Sequence, residues 1–179
     1  TYLVDHPESP NVLEYLTNFY PTLALYDEGI AYLTQFATDH PENTGLNMSM
    51  VTLMTKAGKV VEALEWANNH SHSTEQEDPV VYYTIGVNAW DKSYNDVNLT
   101  KEMRPVVIDT GLAAMERALQ IKRDFQTLVY YNLLYREKAK LFLPDPLVPT
   151  PKPGKMTPEQ QAAETERQAR YDEYLALAN

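Results

Sequence analysis

The chain of 179 residues contains no cysteine. That excludes a disulfide framework, a thiolate zinc site and a cysteine nucleophile, and it leaves the redox compartment open. No stretch reaches the roughly 18 to 20 uninterrupted apolar residues of a membrane helix, because Lys, Asp, Glu, Asn or His interrupts every apolar run. A glycine-rich phosphate loop, a nucleophile elbow and a helical His-Glu-x-x-His motif are all missing. Basic residues are missing from the first third, where no Lys or Arg precedes Lys56. Residues 1–91 carry thirteen acidic side chains against Lys56 and Lys59, a net of -11, whereas residues 92–179 carry twelve acidic and thirteen basic, a net of +1. An acidic half repels nucleic-acid phosphate and steers basic protein partners toward itself at low salt.

Histidine is scarce, at four residues. His6 and His40 stand beside Pro7 and Pro41 in equivalent surroundings, which reads as a recurring turn rather than a reaction centre. His70 and His72, followed by Glu75, Glu77 and Asp78, form the one pattern with metal-ligand chemistry, since imidazole and carboxylate suit zinc or copper. Alternating histidines on a polar stretch read more simply as a solvated connector, so no metal, cofactor or catalytic residue is assigned.

What the chain does have is a period. Asp-His-Pro-Glu occurs at Asp5 to Glu8 and again at Asp39 to Glu42, thirty-four residues apart. A fixed period of 20 to 50 residues marks stacked repeats. Around the second copy, Gly29, Leu33 and Pro41 follow Leu13, Leu16 and Tyr20, an apolar stripe at helical spacing. A second unit places Met50, Val51 and Met54 ahead of a turn glycine, Gly58, and then Ala63 and Ala67, small residues that let two helices approach closely. A third places Tyr82, Ile85 and Gly86 ahead of Gly111, Met115 and Ala118, with about thirteen residues, 91–103, inserted between. A fourth begins near 127 and carries Tyr130-Tyr131-Asn132-Leu133-Leu134.

This pattern resembles the tetratricopeptide repeat, and residues 130–139 resemble a branch of exported or lipid-anchored bacterial members. The resemblance implies an all-α, right-handed helical-repeat solenoid of three to four helix-turn-helix units, starting near residues 10, 44, 79 and 127 and together covering 1–142. In that register Thr1 falls inside a second helix, so residues upstream, including a signal or lipid anchor, are expected. The resemblance further implies that the inner face of the first helices carries the partner-binding residues: Asn18, Thr52, Tyr83, Val87, Trp90, Tyr131, Tyr135 and Lys138. Some members grip a peptide's terminal carboxylate with Lys, Arg and Asn, a ligand disfavoured here because no base accompanies Asn18 in the first unit.

Residues 143–158 hold six prolines, a density that blocks helix and sheet pairing and favours an extended polyproline II arm. Thr157-Pro158-Glu159-Gln160 then reads as an N-cap, a proline at the first helical position and a capping-box glutamine, opening a closing helix over 159–179.

The function expected is a non-catalytic protein-interaction scaffold, an accessory or assembly subunit of a larger complex whose partners are other protein subunits. No nucleic-acid partner and no membrane span are expected, and the expected location is periplasmic or peripheral to a bacterial membrane, with the cytoplasm as alternative. Two other readings stay open: a periplasmic carrier of a small ligand or metal, and a regulatory domain of a larger enzyme.

Overall fold

The computed structural model describes residues 10–40, 45–70, 78–144 and 154–179. Among these residues the protein is all-α, with eight helices and no strand. They are α1 (Pro10–Thr22), α2 (Tyr26–Asp39), α3 (Leu46–Lys56), α4 (Val60–His70), α5 (Pro79–Asn95), α6 (Met103–Ile121), α7 (Phe125–Lys140) and α8 (Pro158–Leu177). None of them is long and apolar enough to cross a membrane. Most of the proline-rich arm, His6 and His72 lie outside the described residues.

Local chemistry sets several helix starts. Asp78 accepts a hydrogen bond from the Val80 amide at 2.8 Å, and Pro79 occupies the first turn, where a missing N–H does no harm. Asp124 accepts from the Gln126 and Thr127 amides at 2.9 and 3.1 Å. Those bonds, led by the one from the Thr127 hydroxyl, hold its carboxyl below the ordinary carboxylate range. Thr157 and Gln160 close a reciprocal capping box at the head of α8. Gly58, at φ +75°, turns the chain between α3 and α4 in a conformation that a side chain would oppose.

Each helix packs against the next in sequence; α1 also meets α3, α3 meets α5, α5 meets α7, and α4 meets α6. The main core joins Leu33 and Phe36 of α2 to Leu46, Met50, Val51, Leu53 and Met54 of α3, then to Ala63 and Ala67 of α4 and Val81, Tyr82 and Ile85 of α5. A second cluster of Ile108, Leu112 and Met115 from α6 with Leu134 from α7 continues it toward the C-terminus.

The residues 91–103, read as an insertion, extend the neighbouring helices. α5 continues to Asn95 and α6 begins at Met103, leaving only 96–102 as a link. Arg104 fixes that link by donating to the carbonyls of Ser93 and Asp96, oxygens at the open C-terminal end of α5. Leu99 packs beside Val60, Ala89 and Val107.

Antiparallel register follows from these contacts. Arg104 of α6 lies at Ser93, and Met115 lies at Gly86, so α6 runs back along α5. A Cβ built on Gly111 would stand 2.8 Å from Ala89 Cβ and 2.9 Å from Leu134 Cδ2. That is the point where α5, α6 and α7 come together. Ala89 Cβ is fixed to its helix and cannot swing away, so overpacking of roughly 1–3 kcal/mol should exceed the roughly 1 kcal/mol gained in helix propensity. Gly111→Ala is therefore expected to lower unfolding stability, by up to about 2 kcal/mol, in urea titration. An unchanged or raised midpoint would show that the three helices stand further apart.

Candidate interaction surface on α5 and α7

The side chains of Tyr83, Val87 and Trp90 fall on one stripe of α5 and pack, half-buried, against the second cluster. The α7 ring that meets them is Tyr130. Its centroid lies 5.8 Å from Tyr83 and 5.4 Å from Trp90, edge to face in both cases. Trp90 in turn stacks on Tyr94 at 5.4 Å and 16°. Four rings therefore form one unbroken row, Tyr83, Tyr130, Trp90 and Tyr94, in the edge-to-face and stacked geometries that aromatic quadrupoles favour. Tyr94 is 58 % exposed.

Charged side chains stand at both ends of the row. Lys140 holds its ammonium 5.1 Å from the Tyr94 ring centroid while pairing with Glu137 at 2.6 Å. Asp124 sits near Tyr83 at the other end; burial first, then Tyr130 and Asp124, push the Tyr83 phenol pKa up. The pairing of Tyr83 with Tyr130 and of Tyr94 with Lys140 makes α5 and α7 parallel neighbours.

The other expected residues of α7 take a different side of that helix. Tyr131 and Tyr135 share a hydrogen bond between their hydroxyls at 3.1 Å, with rings edge to face at 4.9 Å. Burial, the Tyr135 hydroxyl and the Glu116 carboxylate of α6 raise the Tyr131 phenol well above its usual value of 10.0. Lys138 pairs with Asp109 of α6 at 2.8 Å and lies 4.8 Å from the Tyr174 ring centroid on α8. Burial is the largest single effect and works against its charge, but Asp109, Tyr174 and Tyr135 together outweigh it, and the Lys138 amine is held above its ordinary value. Lys138 thus ties α7 to α6 and α8, and Phe142 stacks on Tyr174 at 5.5 Å beside it.

Asn18 and Thr52 stand apart from this cluster, on α1 and α3. Asn18 is exposed and accepts a hydrogen bond from Lys56 at 3.0 Å. The base judged missing beside Asn18 is supplied by the end of α3, thirty-eight residues on, so the reason for disfavouring a carboxylate ligand there does not hold. Thr52 is half-buried, and its carbonyl accepts from the Thr55 hydroxyl at 3.1 Å.

Two rings escaped sequence reasoning. Tyr130 figured only in the motif of the fourth unit, outside the expected partner-binding set, and Tyr94 fell within the insertion 91–103. The signal for Tyr94 was present, because it follows Trp90 by one helical turn.

His70 stacks on Trp66 at 3.6 Å, with Nδ1 2.9 Å from the Trp66 carbonyl oxygen, while His72, Glu75 and Glu77 lie outside the described residues. No group of three or more His, Asp or Glu side chains suited to a metal occurs among the described residues. A separate cleft of about 300 Å³ opens where the 96–102 link passes Gly58 and the start of α4, lined by Val60, Lys92, Leu99, Met103 and Val107. Its Lys92 is paired with Asp96 at 3.7 Å.

Comparison with protein-family models, curated proteins and solved structures gives no match.

The raised Tyr131 pKa has a thermodynamic consequence. A folded-state phenol held above its unfolded value of 10.0 contributes stability that is complete below about pH 10 and is lost as the pH climbs toward the folded value. Stability should therefore fall more steeply above about pH 10 in the wild type than in Tyr131→Phe. Equal slopes in denaturant titrations at pH 9 to 11 would contradict the half-buried, hydrogen-bonded phenol.

Proposed function

We propose that this chain is a non-catalytic protein-interaction module, a short solenoid of tetratricopeptide-like helix pairs serving as an accessory or assembly subunit of a larger complex. The observation that carries the reading is the row of four rings along α5 and α7. Tyr and Trp dominate binding energy at protein interfaces because they bury large area, keep a polar handle and lose little rotamer freedom. The succession of α1, α3, α5 and α7 as neighbours supports the solenoid reading, since stacked helix pairs present their first helices side by side on one face. On that reading the face passes from polar, at Asn18 and Thr52, to aromatic at Tyr83 and Trp90. The acidic first half adds long-range steering rather than the main binding energy, and association in the periplasm or at a bacterial membrane surface fits an exported scaffold.

Capture with crosslinking from native membrane and soluble extracts tests this. Trp90→Ala is expected to weaken association with the captured subunit about 10- to 100-fold, the loss of an interface anchor of roughly 2 kcal/mol. Raising salt from 0.05 to 0.5 M should change the dissociation constant by no more than about threefold if the rings dominate. A chain that reproducibly emerges without any other protein, or whose association ignores Trp90→Ala, overturns the proposal.

A further inference from the structure

We propose that α8 is a detachable strap, which opens from α7 as a unit while α1 to α7 stay folded and so uncovers the Lys138 side of α7. The inference does not depend on the row of rings.

Burial separates α8 from the helices before it. Each of α2 to α7 buries at least three of its residues, so none leaves without opening a cavity. Between Pro158 and Leu177, α8 buries none. Its inward stripe of Glu164, Arg167, Tyr171, Tyr174 and Leu175 is only half-buried, and among the described helices it packs substantially on α7 alone. Within 154–179 only Ala178, just past the helix, is buried, at 2 % exposure. An element with so few buried contacts opens at lower free energy than the core it rests on.

Three contacts hold the strap at the end of α7. Arg167 donates to the Phe142 carbonyl, the Tyr174 ring stacks on Phe142 at 5.5 Å, and the Lys138 ammonium lies 4.8 Å from the centroid of the same Tyr174 ring. Breaking them strands no charge. Arg167 keeps Glu164 of its own helix, to which its Nε donates at 2.9 Å, and Lys138 keeps Asp109 of α6 at 2.8 Å. Stranded charges are what make the loss of one ionic partner costly, and here both cations retain theirs. The Phe142 carbonyl, once released, is open to water. Detached, α8 keeps its capping box, and at 20 residues it is long enough to hold helical turns alone.

In the closed form Lys138 has Asp109 on one side and Tyr174 on the other. A ligand that needs that side of α7 binds in proportion to the open fraction, so the strap sets its apparent affinity.

Because the chain has no cysteine, single introduced thiols report the opening. Ala178→Cys places one under the end of the strap, and Ala118→Cys places one in the main core, where the alanine is 0 % exposed. With an aromatic disulfide reagent, the thiol at 178 should react at least about 100-fold faster than that at 118, and its rate should rise less steeply with urea. The thiol reports separation whether or not α8 then unravels. Adding Tyr174→Ala, which removes two of the three contacts, should speed labelling at 178 about tenfold and leave 118 unchanged. Hydrogen exchange of the unaltered chain should rank the same way, with the amides of α8 at least about 100-fold less protected than those of α3 and α6. Equal rates and urea slopes at 178 and 118, or equal acceleration of both by Tyr174→Ala, would mean that α8 leaves only with global unfolding. Labelling at 178 as fast as a free cysteine would mean that the strap never closes. Either result overturns the inference, and neither bears on the row of rings, which Trp90→Ala tests.

Discussion

Everything on the C-terminal side of the molecule depends on how closely α5, α6 and α7 approach one another. At Gly86 the space a side chain would need is taken by Met115, and at Gly111 it is taken by Ala89 and Leu134. Because interiors are packed to near-crystalline density, such contacts fix distance and register together. With α6 seated on both neighbours, α5 and α7 lie side by side and in parallel. That is what brings Tyr130 between Tyr83 and Trp90.

Polar contacts then finish what packing begins. Asp109 on α6 and Tyr174 on α8 hold Lys138 between them, and Arg167 reaches the end of α7 through the Phe142 carbonyl. These bonds place α8 against the side of α7 that carries Lys138 rather than against Tyr130. The rings of the row remain half-exposed or exposed, while Thr127, Leu134, Glu137 and Ala139 of α7 are buried. Around the α5–α6 link, Arg104 satisfies carbonyls that a helix end would otherwise leave open.

The helical class was legible because apolar residues recur at 3.6-residue spacing in almost every segment, and chemistry at Thr157, Pro158 and Gln160 announced a helix start that the capping box realises. The stripe of Tyr83, Val87 and Trp90 came instead from the resemblance to the tetratricopeptide repeat, which implies an inner face at those positions of the first helix. Where the reading faltered, the deciding contacts were between distant segments. Asn18 meets Lys56 only because α1 packs on α3. The end of α5 was taken for an insertion, yet Asn95 bonds Asp91 at 2.7 Å and Tyr94 stacks on Trp90, contacts that carry the helix onward by a turn. On α7, one residue of register separates Tyr130 from Tyr131, and a periodic pattern alone does not say which of two adjacent tyrosines turns toward α5.

That choice between adjacent tyrosines is where the account is most exposed. Resonance-assigned proton NMR of the chain in solution decides it through cross-relaxation between aromatic rings. The account predicts that ring protons of Tyr130 show contacts to both Tyr83 and Trp90, while those of Tyr131 show contacts to Tyr135 and none to α5. Contacts from Tyr131 to Tyr83 or Trp90, with Tyr130 silent, would mean that α7 is rotated and that the row of rings does not exist.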